Sequence, residues 1–216
     1  MSTTPPERSR PSARDKRQLI LDAAIKVFAR TGYHGSRVSD IAREAGIAYG
    51  LVYHYFKNKE EILDTIFDEQ WGAFLDAVEA IAEGGAPTED KLLSIAGLIL
   101  NAYRVRTDWV KVLVFEIQRS RRFANPEQLR AVGRLFRIVA RILREGQKEG
   151  VLRPDVDPDV ACFVFIGGLD SVVTSRVLDV FEVGESPGDE ARYFLKVART
   201  VVDLFLHGFA PRAEAS

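Results

Sequence analysis

Apolar positions in this chain recur every three or four residues almost throughout, the period of helices rather than of strands. Ile20, Ala24, Val27 and Phe28 make one such stripe and predict a first helix over about 14–30. Ile41, Ala42 and Ala45 make a second, shorter one. Gly46 closes it, where a helix needs a left-handed residue before Ile47 turns inward. A third short helix is predicted over 48–56. At about 100° per residue, Leu51, Val52, Tyr55 and Phe56 share one side of it, and Tyr49, Gly50, Tyr53 and His54 share the other. The first set is expected to pack and the second to project. Asn58 followed by Glu61 reads as a capping pair that starts a long helix from Lys59 to roughly Glu83.

Beyond a loop marked by Gly84, Gly85 and Pro87, helices are predicted over 88–103, 108–119 and 126–149. Gly150 and the run from Pro154 to Pro158 break the pattern, and two final helices follow over 159–181 and 189–207. The chain therefore reads as all-α, with about nine helices and no convincing strand. A polar tail over 1–12 is expected to be disordered. A three-helix unit follows over 13–59, and a larger helical body over 60–216. Because the helix from Lys59 continues into the body without a break, a small displacement in the body is expected to become a larger swing of the second short helix.

Two short helices around a Gly-containing turn, the second with an exposed polar and aromatic face, suit helix-turn-helix docking in a DNA major groove. Charge agrees. The net charge is −1, yet residues 1–59 hold 11 Lys and Arg against 5 Asp and Glu, whereas residues 60–216 hold 19 against 26. A basic module on an acidic body is what attraction to a phosphate backbone combined with solubility produces. Much of the basic excess is early, at Arg8, Arg10, Arg14, Lys16 and Arg17; this is equally a DNA-touching arm or a tail kept soluble by charge.

The stretch from Gln18 to Leu63, with Phe28, Gly32, Tyr33, Ile41, Ala42, Gly46, Tyr53, Phe56 and Lys59 as landmarks, resembles the DNA-binding domain of the tetracycline-repressor-like (TetR) regulators. The resemblance implies a homodimeric repressor of double-stranded DNA, whose body binds a small molecule and thereby releases the operator. By analogy, Tyr49 is expected to reach base edges and Gly50 to let the backbone approach, with Tyr53, His54 and Lys59 on phosphates; Ser36 and Arg37 complete the expected contact set. Ala48 and Leu51 stand where the family often has hydroxyl residues, so contacts from those hydroxyls are not carried over.

With 216 residues and 46% apolar content, the chain has enough material for one small and one larger core. It has no uninterrupted apolar run of about 18 residues and no signal-peptide pattern, so a cytoplasmic protein without a membrane partner is expected. The one cysteine, Cys162, reads as a small core residue. His34, His54 and His207 are far apart with no metal-ligand spacing, so neither metal nor cofactor is expected. No phosphate loop, nucleophile elbow or dinucleotide fingerprint is present, and no catalytic residue is assigned; Glu116 is the one body carboxylate suspected of burial. An enzyme, or a helical interaction module that binds no DNA, would leave the basic helix-turn-helix unexplained.

In the last helix, Phe194, Val197, Val201 and Phe205 belong to an apolar arc far wider than a one-sided helix needs. The helix before it carries the small residues Gly167, Gly168, Ser171 and Ser175 at helical spacing. Together they predict a two-fold four-helix dimer interface, with packing within one chain as the alternative. Aromatic and apolar residues of the body, among them Phe67, Trp71, Phe74, Tyr103, Trp109, Leu113 and Phe163, are expected with Glu116 to line a pocket for a hydrophobic effector. Arg130, Arg134, Arg137, Arg141 and Arg144 fall on one line of the 126–149 helix. The favoured expectation is a solvated face paired with acids; the sharper one is that Arg134, Arg137 and Arg141, with Arg119, Arg121 and Arg122 nearby in sequence, hold phosphates. The segments DWVKVLVFEIQRSRRF and ILREGQKEGVLRPDVDPDVACFVFIGGLDSVVT are similar to the fatty-acid-responsive, FadR-like branch of the family. That similarity implies a long-chain acyl-coenzyme A effector with its tail inside the body. A regulator of an efflux or detoxification operon with another hydrophobic effector remains the alternative.

Overall fold

A computed structural model of the chain describes residues 13–117, 126–180 and 187–208. Every regular element among these residues is helical. The order is α1 (Ala13–Gly35), α2 (Val38–Glu44), α3 (Tyr49–Tyr55), α4 (Lys59–Glu83), α5 (Thr88–Val105), α6 (Thr107–Val112) with a π-helical turn (Leu113–Ile117), α7 (Pro126–Lys148), α8 (Pro158–Val177) and α9 (Pro187–His207). The contacts divide the chain into a unit over Met1–Phe67 and a unit over Asp68–Ser216. The division thus falls within α4 rather than at its first residue. The tail over 1–12 lies outside the described residues.

In the first unit, α1 packs on α2 and α2 on α3. Ile20, Ala24, Val27 and Phe28 of α1 are buried with Ile41 and Ala42 of α2 and Val52 of α3. At about 1.5–3 kcal/mol for each large side chain removed from water, this small core is what holds the three helices. Gly46 has φ 65°, and the N–H groups of Gly46 and Ile47 donate back to the carbonyls of Arg43 (3.2 Å) and Ala42 (3.0 Å). This is the left-handed closure expected of a glycine there. Asn58 Oδ1 accepts from the N–H of Glu61 at 2.8 Å. The Glu61 carboxylate reaches back to the N–H of Lys57 at 2.6 Å, one residue before the cap. α1 continues past the expected 30 to Gly35, kinked at Gly32, which alone there tolerates φ 70°.

In the second unit, α5 lies along α9 and α7 along α8, with α5 also touching α6, α7 and α8. Leu92, Ile95, Leu100, Ile142, Phe165 and Leu169 are fully buried. Cys162 is buried too, and burial pushes its thiol above the ordinary value. Asp157 caps α8 by accepting from the N–H of Asp159 at 2.8 Å, with Pro158 beginning the helix.

Two elements depart from expectation. α8 stops at Val177, not near 181. Asp179 adopts φ 51°, and the N–H groups of Asp179 and Val180 close on the carbonyls of Arg176 (3.2 Å) and Ser175 (2.9 Å). An aspartate does here what a glycine usually does, so no glycine marks the stop along the chain. The helix expected over 108–119 instead passes into the π-helical turn after Val112, and its end lies outside the described residues. α8 is also long and apolar enough to cross a membrane by length and composition. Asp159, Asp170 and Arg176 interrupt its apolar run along the chain. Its apolar positions divide between the core, at Phe165, Ile166 and Leu169, and an exposed face at Val160, Phe163 and Val164.

Candidate nucleic-acid interface and effector cavity

The short α3 has two unlike sides. Val52 and the following Phe56 are buried and Leu51 and Tyr55 half-buried, whereas Tyr49, Gly50, Tyr53 and His54 are exposed. Tyr49 and Tyr53, one turn apart, stand edge to face with ring centroids 5.2 Å apart and hydroxyls 3.0 Å apart. That hydrogen bond is the first cause holding the Tyr53 phenol above its ordinary pKa. A methyl group added at Gly50 would meet nothing within 4 Å, so the backbone there is open to a partner. The face presents two phenols, an imidazole and a bare stretch of backbone.

Around this face the remaining expected residues divide. Arg37 is exposed, and its N–H donates to the Asp40 carboxylate at 3.0 Å. Ser36 is buried, with Oγ donating to the Tyr33 carbonyl at 2.7 Å. Lys59 donates from Nζ to the carbonyls of Tyr33 (2.5 Å) and Ser36 (2.7 Å), and its ammonium lies 4.3 Å from the Tyr33 ring centroid. The Ser36 hydroxyl and the Lys59 ammonium, both expected on DNA, are thus directed at the protein's own backbone. The end of α1 presents carbonyls that a cation satisfies, which sequence spacing does not reveal.

The second unit contains a cavity of about 570 Å³ walled by α4, α5, α6 with its π-helical turn, α7 and α8. Its lining is mainly apolar, with Trp71 and Phe74 from α4, Trp109 and Leu113 from α6 and the turn after it, Phe136 from α7 and Phe163 from α8. Phe136 and Phe163 stack with centroids 4.8 Å apart. The polar lining residues are Gln70, Asn101, Arg106 and Asp170. Desolvation alone pushes the Asp170 carboxyl above the usual carboxylate range.

The first part of the chain, residues 20–66, matches the model for bacterial regulatory proteins of the tetR family. Residues 67–185 match the model for the C-terminal region of YsiA-like proteins. The chain is 30% identical over 199 residues to the fatty acid metabolism regulator protein of Bacillus subtilis, covering 90% of this chain and 96% of that protein. Its fold is similar to the fatty acid degradation regulator FadR from Bacillus halodurans, with a TM-score of 0.78 and 28% identity over 95% of this chain and 100% of that one. A second similar structure is FadR from Bacillus subtilis in complex with stearoyl-CoA, with a TM-score of 0.76 and 28% identity over 89% of this chain and 99% of that one. The chain belongs to the tetR family of bacterial regulatory proteins, in its FadR-like branch.

Seen as the body of a TetR-family regulator, the second unit gathers only part of the expected effector set. Trp71, Phe74, Trp109, Leu113 and Phe163 line the cavity. Tyr103 does not: it is buried, with its hydroxyl donating to the Arg176 carbonyl at 3.3 Å. Phe67 is buried, belongs to the first unit and is not among the lining residues. The Glu116 side chain and residues Arg119, Arg121 and Arg122 lie outside the described residues. Arg134, Arg137 and Arg141 are not in the lining either. Arg134 pairs with Glu79 of α4 at 3.2 Å, and Arg141 pairs with the same carboxylate. Arg144 pairs with Asp159, and Arg137 donates to the Arg130 carbonyl at 3.2 Å. Arg134, Arg141 and Arg144 of this line are thus engaged by acids. The π-helical turn, which rotates Leu113 and Val114 into the wall, and the polar residues Gln70, Asn101 and Arg106 were missed. No regular periodicity marks them.

The expected dimer residues also divide. Gly167, Gly168 and Ser171 of α8 are exposed and Ser175 half-buried, as are Val197, Val201 and Phe205 of α9. Phe194 is buried, edge-on to Tyr103 at 6.0 Å, and belongs to the core of its own chain. Val160 and Val164 of α8 are exposed apolar residues that the sequence pattern did not single out.

Proposed function

We propose that the protein is a transcriptional repressor that binds palindromic operator DNA as a homodimer in the cytoplasm and is released by an amphipathic effector with a long hydrocarbon chain, a long-chain acyl-coenzyme A. The observation that carries this reading is the placement of the cavity on α4. The same helix that begins with Lys59 in the first unit supplies Gln70, Trp71, Ala73, Phe74 and Ala77 to the cavity wall. A ligand with different affinities for two positions of that wall shifts the population of α4, and with it the helix-turn-helix. Tyr49, Gly50, Tyr53, His54 and Arg37 form the DNA face in this reading, and the exposed faces of α8 and α9 form the dimer contact. The fatty acid metabolism regulator of Bacillus subtilis and the stearoyl-CoA complex of FadR support the choice of effector.

The test is fluorescence anisotropy on DNA from upstream of the protein's own gene, titrated with palmitoyl-coenzyme A, palmitate and coenzyme A. Palmitoyl-coenzyme A lowers operator affinity, and potency rises with chain length by about fourfold per CH₂, at about 0.8 kcal/mol for each methylene buried, until the cavity is full. Reciprocally, DNA weakens effector binding by the same factor. No response to any of the three removes the fatty-acid assignment, and release by an unrelated hydrophobic compound instead points to control of an efflux or detoxification operon.

A further inference from the structure

Among the described residues, Arg106 is the one cation in the lining of the cavity. It ends α5 and precedes α6, with φ −135° and ψ 47°, in the short joint between two helices whose other lining residues are almost all apolar. Its guanidinium donates to the side-chain oxygen of Gln70 on α4, a neutral partner. No carboxylate among the described residues lies within ion-pair distance of it, in contrast to Arg134, Arg141, Arg144 and Arg176, each held by an acid. A guanidinium carries five N–H donors in a flat fork, so most of Arg106's donors are left for a ligand. The opposite charge stands at Asp170 on α8. The two stand on different elements of the wall, Arg106 at the joint after α5 and Asp170 within α8, with no ion pair between them among the described residues.

Resting on the reading of the cavity as the site of an amphipathic effector, we propose that Arg106, oriented by Gln70, selects an anionic head group, carboxylate or phosphate, while Asp170 turns such a head group away from the α8 side. An anionic amphiphile then enters in one orientation. Its head lies at the joint between α5 and α6, and its chain runs along Trp71, Phe74, Phe136 and Phe163. The basis of anion selection is thus one arginine in the cavity wall rather than the stripe on α7, whose Arg134 and Arg141 are already engaged by Glu79.

Both tryptophans of the chain, Trp71 and Trp109, line the cavity, so intrinsic fluorescence of the full-length protein reports its occupancy. Palmitate, palmitoyl-coenzyme A and uncharged hexadecanol are titrated into wild type, Arg106→Gln and Asp170→Asn. Arg106→Gln weakens at least one anionic ligand by about ten- to a hundredfold, the range for losing a hydrogen bond to a charged group, and leaves hexadecanol within about twofold. Loss confined to palmitate identifies the carboxylate as the group held, and loss confined to palmitoyl-coenzyme A identifies phosphate. Asp170→Asn binds the anionic ligands more tightly and leaves hexadecanol within about twofold. Should Arg106→Gln lose helical circular dichroism, Arg106→Met, of similar reach and without charge, is read in its place. Unchanged affinity of Arg106→Gln for both anionic ligands, or an equal loss for hexadecanol, overturns the role of Arg106, and unchanged or weaker anion binding in Asp170→Asn overturns that of Asp170. If wild type binds none of the three, the aliphatic-effector reading itself falls; if it binds them and Arg106→Gln matches it, only the present inference falls.

Discussion

The ammonium of Lys59, at the first residue of α4, lies 2.5 Å from the carbonyl oxygen of Tyr33 in the last turns of α1. With a second bond to the Ser36 carbonyl, it ties the start of one helix to the end of another inside the first unit. Lys59→Ala is expected to lower the stability of that unit by about 1–2 kcal/mol, toward the lower end of the range for hydrogen bonds to a charged group because the site is part-exposed. Urea denaturation followed at 222 nm measures this. The salt slope of operator binding separates the two roles of Lys59: a fall of about 0.9 in Lys59→Ala would put the ammonium on a phosphate, whereas a near-constant slope is expected.

The exposed Tyr49 and Tyr53 pair makes a different prediction. Neither ring supports the core, so Tyr49→Ala is expected to leave the melting temperature unchanged within about 2 °C. Discrimination between operator and unrelated DNA should fall by about 1–3 kcal/mol, compared by gel shift at fixed salt. Retained discrimination in a folded dimer would remove Tyr49 from the base-reading set.

Glu79 gives a dependence on pH. The hydrogen bond from Arg141 is the main cause holding its carboxyl below the ordinary value of 4.5, with Arg134 adding to it against a desolvation cost. A carboxyl whose folded pKa is depressed contributes stability above its unfolded pKa and loses it as pH falls through the folded one. Wild type should therefore exceed Glu79→Gln in stability at pH 6–7, and the gap should close below about pH 4. Urea midpoints across pH 3–7 read this directly, and a gap independent of pH would assign the effect to packing.

On α8 and α9, one substitution should break assembly and another the fold. Val164 is 65% exposed on the face shared with Gly168 and Ser171, the contact face of the proposed dimer, and Val164→Arg is expected to shift the mass measured by light scattering toward the monomer with helix content kept. Phe194 is 5% exposed, and Phe194→Ala is expected to cost about 3–5 kcal/mol of stability through the cavity it leaves. A stable dimer in Val164→Arg would move the interface off this face.

Local rules determined much of this protein. Apolar spacing of three and four set the helices, and the split of α3 into a packed side with Val52 and a projecting side with Tyr49 and Tyr53 followed from 100° per residue alone. Gly46 closed its helix as a left-handed glycine does. A periodic pattern, however, gives the direction of a side chain from its own helix and not what stands opposite. That Lys59 finds two carbonyls, that Glu79 engages Arg134 and Arg141, that Phe194 meets Tyr103 and that Asp179 rather than a glycine ends α8 are decided between residues distant in sequence or by a conformation that aspartate rarely takes. The cavity is the clearest case. Its wall draws on five helices, and Arg106 enters it through a joint between two of them, so only the packing of those helices could single out this arginine from the chain's other cations.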